Sequence, residues 1–119
     1  MESIIKERKE GKRVYISGAI SGKDLNERMK AFSVAEAKLS EYCLEAVNPL
    51  KIGIEHIDDD TATHMKRDIK LLLECDTIYM MRGWNHSAGC QTELQVALAC
   101  GLDVMFEEKE IGLRVYRFV

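Results

Sequence analysis

Apolar residues along this chain follow two patterns. Short, mainly apolar runs at residues 13–17, 43–47, 76–81 and 102–106 read as strands, since a strand covered on both faces carries apolar side chains at successive positions. Between them, apolar residues recur every three or four positions, which is helical spacing. The first helix opens at Asp24-Leu25-Asn26-Glu27, which has the form of a capping box, and runs to about Tyr42. Its core stripe is Met29, Phe32, Ala35 and Leu39, with Glu36 as the polar alternative to Ala35. The second helix spans about 61–74 and turns Met65, Ile69, Leu72 and Leu73 inward. The third starts near Ser87 or Ala88, continues through Leu94, Ala97 and Leu98, and stops at Gly101 in the usual C′ role. Asn48-Pro49 ends the second strand, residues 50–60 read as an irregular connection, residues 107–110 as a charged turn, and residues 113–119 as a fifth, edge strand.

Strand and helix alternate throughout. That order predicts a three-layer α/β/α fold of flavodoxin or Rossmann-like type, with a four- to five-stranded, mainly parallel sheet. Right-handed crossovers favour the strand order 2-1-3-4, with the fifth strand outermost. The switch point then falls between strands one and three, so loops 18–23 and 83–89 meet at the carboxyl ends of adjacent strands, where such sheets bind ligands.

Composition narrows the function classes. The 119 residues suit a single domain, 1–119, with a charged lead at 1–12; 46% are hydrophobic and 31% charged, an ordinary globular balance. The net charge of −3, without a long block of one sign, argues against a nucleic-acid partner. The lead has no apolar core, and no stretch reaches membrane-spanning length, so a cytoplasmic protein with no membrane partner is expected. Cys43, Cys75, Cys90 and Cys100 read as small buried hydrophobes of a reducing compartment, and with His56, His64 and His86 they complete no zinc spacing. Cys90, near a helix start, is also a weaker candidate for an activated thiol, although no base partner is visible. Asp58-Asp59-Asp60 reads as a solvated helix start rather than a metal site. No metal and no cofactor are expected.

Candidate chemistry concentrates in Trp84-Asn85-His86-Ser87-Ala88-Gly89-Cys90-Gln91-Thr92-Glu93, a strand-to-helix loop of the kind that presents backbone N–H groups to an anion. Glu93 lies in the second helical turn, too deep to be a cap, and should lean back over Gly89, whose missing side chain leaves a notch. A carboxylate, a notch and a helix start together could hold a phosphorylated sugar. The bland alternative is a solvent-facing glutamate.

With these residues assembled, the chain resembles the nucleoside 2-deoxyribosyltransferase superfamily and, within it, the deoxynucleoside 5′-monophosphate N-glycosidases. It also resembles a phage- and bacteria-associated domain family grouped with that superfamily without an assigned activity. The resemblance is carried by Val14-Tyr15-Ile16-Ser17-Gly18, by Asp68 within His64-Met65-Lys66-Arg67-Asp68-Ile69, and by Ser87-Ala88-Gly89 with Glu93 six after the serine. It implies Glu93 as the nucleophile at the sugar C1′ carbon, Asp68 as the acid serving the leaving base, and Tyr15 as the group orienting Glu93. It further implies a substrate-binding set of Ser17, Gly18, Ile20, Gly22, Trp84, Ser87 and Gly89, with Ser87 and Gly89 at the 5′ end and Trp84 stacking on the base. Each of these has a structural alternative: an ion-paired Asp68, a core Tyr15, a loop-packing Trp84.

The implied partner is a small nucleoside or nucleotide, and the implied assembly a homo-oligomer, dimer or tetramer. Gln95 stands where the family often has glycine, and loop 82–86 lacks the Asp-Gly that some transferases use, so hydrolysis is favoured over transfer. The competing function is a non-catalytic nucleotide-binding or sensing module. Flavin binding is weaker still, because loop 18–23 lacks a Ser/Thr-rich phosphate cradle.

Overall fold

The computed structural model describes residues 12–107 and, for the backbone, 113–116. The expected charged lead (all but Lys12), most of the charged turn at 107–110 and the last three residues of the fifth strand lie outside the described residues. The elements are β1 (Arg13–Ser17), α1 (Leu25–Glu41), β2 (Glu45–Val47), α2 (Pro49–Ile52), α3 (Thr61–Leu73), β3 (Thr77–Met80), α4 (Ala88–Ala99), β4 (Asp103–Glu107) and β5 (Leu113–Tyr116). Short 3-10 turns occupy Ile54–His56 and Trp84–His86.

The sheet order is β2-β1-β3-β4-β5, with β5 antiparallel to β4 and every other pair parallel. Alternate residues of each strand feed two cores. Val14, Ile16, Tyr79 and Met105 pack with Phe32, Ala35 and Leu39 of α1, whereas Tyr15, Ile78, Met80 and Val104 pack with Leu72 of α3 and with Cys90 and Ala97 of α4. The three layers follow from this alternation. No helix among the described residues is long and apolar enough to cross a membrane.

The caps explain the helix starts. Asp24, Asn48, Asp60 and Ser87 each accept a backbone N–H three residues on: Glu27, Lys51, Thr63 and Cys90, respectively. Asp60 is therefore the first residue of a helix start, and Asp59 pairs with Arg67 at 2.8 Å. Asn48 also donates to Glu36 at 3.2 Å, and with Pro49 in the first turn it makes a short helix where the sequence reads as irregular. The weak periodicity there reflects a helix of a single turn.

Helix ends show one further departure. At the end of α4, Gly101 takes φ +76°, with Gly101 N–H donating to Leu98 O and Leu102 N–H to Ala97 O. Cys43 does the same after α1, at φ +61°, with Cys43 N–H donating to Ser40 O and Leu44 N–H to Leu39 O. The second strand thus begins at Glu45 rather than Cys43, because Cys43 is used to stop the helix.

The core stripes are narrower than their spacing implies. Met29 is 40% exposed, Leu73 is 52% exposed, and Leu98 is also exposed. Met65, Ile69 and Leu94 are half-buried. Cys75 and Cys90 are buried, but Cys43 and Cys100 are exposed, contrary to the expectation for all four. Both exposed cysteines sit at helix ends, where the chain turns away from the core.

Candidate active site

Tyr15 and Ser17 are two apart on β1, so strand geometry puts both hydroxyls on one face, toward α3 and α4. From α4, the buried residues are Cys90, Glu93 and Ala97, a stripe at spacings of three and four with a carboxylate in the middle. Glu93 is only 6% exposed. Tyr15 Oη donates to Glu93 Oε2 and Ser17 Oγ donates to Glu93 Oε1, each at 2.7 Å. Both carboxylate oxygens are therefore held by hydroxyl donors, and the carboxyl plane is fixed relative to β1. These bonds reach back 78 and 76 residues along the chain.

Burial dominates the electrostatics. It raises the Glu93 carboxyl from 4.5 to about 7, against the pull of the Tyr15 and Ser17 hydrogen bonds and with a further push from Asp68. Asp68, half-buried on α3, is raised by burial from 3.8 to about 6, with His64 and Arg67 working in the opposite direction. The Tyr15 phenol is pushed well above its usual range, first by burial and then by Glu93 and Asp68. Two carboxyls titrating between pH 6 and 7 hold one proton between them over that interval. Such a pair can supply a nucleophile and an acid to the same substrate.

The notch beside Gly89 differs from the sequence expectation. A side chain added there would meet Met65 Cε at 3.6 Å and Ser87 Oγ at 3.9 Å, so Met65 of α3 partly fills the space. Glu93 turns toward β1 instead of leaning over Gly89, because the two hydroxyl donors are on β1. Ser87 is the N-cap of α4, accepting from Cys90 N–H at 3.2 Å. The amides of Ala88 and Gly89 are the first-turn groups that helix geometry leaves without an intrahelical acceptor.

The remaining expected substrate contacts are mostly structural. Ser17 is a partner of Glu93. Ile20 packs against the α1-side core. Gly22, at φ +74°, lies in the turn closed by Lys23 N–H donating to Ile20 O at 3.1 Å. Trp84 tilts against Phe106 with ring centroids 5.6 Å apart, a loop-packing contact. A Cβ at Gly18 would lie 2.5 Å from Met81 Sδ and 2.9 Å from Phe32 Cζ, so this glycine is required for packing on the side of the sheet opposite Glu93.

Gly18→Ala is therefore expected to destabilise the fold by about 1–3 kcal/mol through overpacking. Gly89→Ala, whose new methyl meets only ordinary contacts, should leave stability equal or slightly higher while lowering kcat/KM by roughly ten- to a hundredfold. Thermal melts beside substrate kinetics separate the two: parallel stability losses would show that Gly89 too is a packing residue.

Cys90 is not an activated thiol. Burial pushes its pKa up, and the hydrogen bonds with Ser17 and Ser87 only partly offset this. Among the described residues, no group of three or more His, Cys, Asp or Glu side chains is placed to hold a metal ion.

Comparison with known proteins locates the chain by family. The model of the family described as Domain of unknown function (DUF4406) matches residues 12–106. The chain belongs to this family. No curated protein matches it. Among solved structures it is similar to the CMP N-glycosidase BcmB of Clostridium botulinum, with 22% identity over 80% of this chain and 67% of that chain and a TM-score of 0.56. That likeness, with the 2-1-3-4 parallel order, establishes the nucleoside 2-deoxyribosyltransferase-like fold.

The pairing of Ser17 with Glu93 is what the sequence reading missed. The signal was available: a serine two after a tyrosine on a parallel strand shares its face. Met65, three before Asp68 on α3, was read as core and in fact reaches the Gly89 notch.

Proposed function

We propose that the protein hydrolyses the N-glycosidic bond of a 2′-deoxynucleoside or its 5′-monophosphate. The observation that carries this reading is the buried Glu93 carboxylate, held on both oxygens at 2.7 Å by Tyr15 and Ser17. A glutamate in the core has no stabilising role that an apolar residue would not fill better, and two dedicated donors orient it for one task. The structural neighbour carries its name from cleaving the same bond type in CMP, which supports the class of reaction.

In the proposed reaction, an oxygen of ionised Glu93 forms a bond to C1′ as the C1′–N bond breaks, and its electron pair leaves with the base. Asp68 delivers its proton to that base. Water then attacks C1′, releases Glu93 and yields the free pentose or its 5-phosphate, with Asp68 taking the water proton. The Ala88 and Gly89 amides at the start of α4 bind the 5′ end. Met65, a flexible side chain, moves off the notch to admit the sugar.

The test is chromatographic detection of free base from a panel of nucleosides and their 5′-monophosphates, both ribo and deoxy. Base release supports the glycosidase reading, and the panel ranks the substrates. No release from any member, with a nucleotide still raising the melting temperature, would replace this reading with the non-catalytic binding module.

A further inference from the structure

Arg67 stands next to Asp68 in the sequence, and an ion pair between them would hold the acid ionised, the wrong state for protonating a base. The described residues make no such pair. The guanidinium is instead fastened to the segment that precedes α3. Arg67 Nη2 donates to Asp59 Oδ2 at 2.8 Å, and Arg67 Nη1 donates to His64 Nδ1 at 3.3 Å. His64 Nε2 lies 3.1 Å from Ile57 O. Arginine can only donate and a carbonyl can only accept, so the ring carries its proton on Nε2 and presents a lone pair to Arg67. A Cβ at Gly53 would lie 3.6 Å from Arg67 Nη1, so the guanidinium also rests against the chain at the end of α2.

Asp59 is held in place for this contact. Its N–H donates to His56 O at 3.0 Å, and the next residue, Asp60, is fixed as the N-cap of α3 by the bond from Thr63 N–H at 2.7 Å. Two residues of the run Asp58-Asp59-Asp60 thus have separate tasks: Asp60 caps the helix, and Asp59 takes an arginine of its second turn. Adjacent residues on a helix do not face each other, so Arg67 reaches the Asp68 carboxyl only by folding its long side chain back. Its charge is already felt there, since His64 and Arg67 both pull Asp68 down against burial. Across from α3, the groups that feel Asp68 are Glu93 on α4 and Tyr15 on β1. Released from Asp59, the guanidinium has Asp68 within electrostatic range.

We infer that Asp59 is a positioning residue for the acid: with His64 as the second acceptor, it draws the Arg67 guanidinium away and leaves Asp68 able to hold a proton for the leaving base. The inference rests on the acid role of Asp68 in the proposed reaction. Asp59 touches no reacting atom. Its side chain is 40% exposed, so the ion pair itself adds little to stability. What it changes is the protonation of Asp68.

The experiment is an NMR titration of the Asp68 side-chain carboxyl in the full chain, beside kcat/KM for base release across pH. The proteins compared are wild type, Asp59→Asn, Asp59→Glu, Arg67→Gln and the double variant Asp59→Asn/Arg67→Gln. In Asp59→Asn the Asp68 titration should move down from about 6 by roughly one pH unit, which lowers kcat/KM about tenfold near pH 7 and far less near pH 5. Asp59→Glu keeps a carboxylate for Arg67 and should restore most of the wild-type value. In Arg67→Gln the titration should move up instead, and adding Asp59→Asn should change nothing further. An Asp68 titration unmoved in Asp59→Asn, or moved equally with and without Arg67, overturns the inference; the second result would mean that Asp59 acts through its own charge. A loss of kcat/KM uniform across pH overturns it as well, since that is the mark of general damage to the fold. If the titrations move as expected and even wild type releases no base, the arrangement around Asp68 stands and the glycosidase reading falls. Base release with unmoved titrations has the reverse meaning.

Discussion

Glu93→Gln is expected to abolish base release while making the protein more stable above pH 7. The two effects have one cause. In the folded chain the Glu93 carboxyl titrates near 7, against 4.5 for an ordinary glutamate, so between those values the folded state binds more protons than the unfolded state. Stability therefore falls as pH rises through that window, by up to about 3 kcal/mol for this group alone. Glutamine keeps an acceptor for one hydroxyl and offers a donor to the other, with no charge to bury. It should remove that part of the pH-dependent loss, leaving the fall that Asp68 contributes up to about pH 6, so the melting temperature should be nearly flat from pH 7 to 8. Turnover should drop by about 10³-fold or more, because an amide cannot form the glycosyl ester. Denaturant titrations at pH 5 and pH 8 beside a base-release assay check both halves. A variant less stable than wild type at pH 8 would show that the Tyr15 and Ser17 hydrogen bonds, not the burial of charge, dominate the energetics.

Asp68→Asn should have the second largest effect, a loss of about 10²- to 10⁴-fold that depends on the leaving base. A base that departs readily as an anion needs little protonation, so substrates with such bases should recover most of the activity. Wild-type kcat/KM should trace a bell with limbs near pH 6 and 7; because Glu93 is the weaker acid of the two, the active form, with Glu93 ionised and the proton on Asp68, is the less populated of the two singly protonated arrangements. In Asp68→Asn the falling limb should disappear. The remaining rise should follow the Glu93 titration alone, at a value below 7 because Asp68 no longer pushes it up. A uniform loss across all leaving bases, with the bell unchanged, would remove Asp68 from the acid role and leave it as a helical residue near Arg67.

Much of the architecture was legible in the linear pattern. Mainly apolar runs marked β1, β3 and β4, because strands buried on both faces carry apolar side chains at successive positions. Asp24, Gly101 and the serine before α4 marked helix ends through local hydrogen bonding, which operates within four residues. The order 2-1-3-4 followed from crossover handedness, and it brought the loops after β1 and β3 together. Short-range rules failed where a second element decided the outcome. Cys43 resembled a strand residue because nothing local shows that it turns left-handed to end α1. The contact of Trp84 with Phe106, on β4, was likewise beyond any local rule.

The central carboxylate divides the two kinds of information most clearly. By itself, the sequence determined that a glutamate sits in the second turn of a helix that follows a buried strand, six residues after a capping serine, and that Tyr15 and Ser17 share one strand face. The spacing of Leu94, Ala97 and Leu98 pointed to a different inward face of α4 from the one the structure buries, which is Cys90, Glu93 and Ala97. Only the packing of α4 against β1 and β3 turned Glu93 inward, removed it from water and set its two oxygens on hydroxyls 76 and 78 residues away. The raised pKa, the proton shared with Asp68 and the methionine over Gly89 all arise from that burial, because desolvation depends on neighbours that only the folded chain brings together.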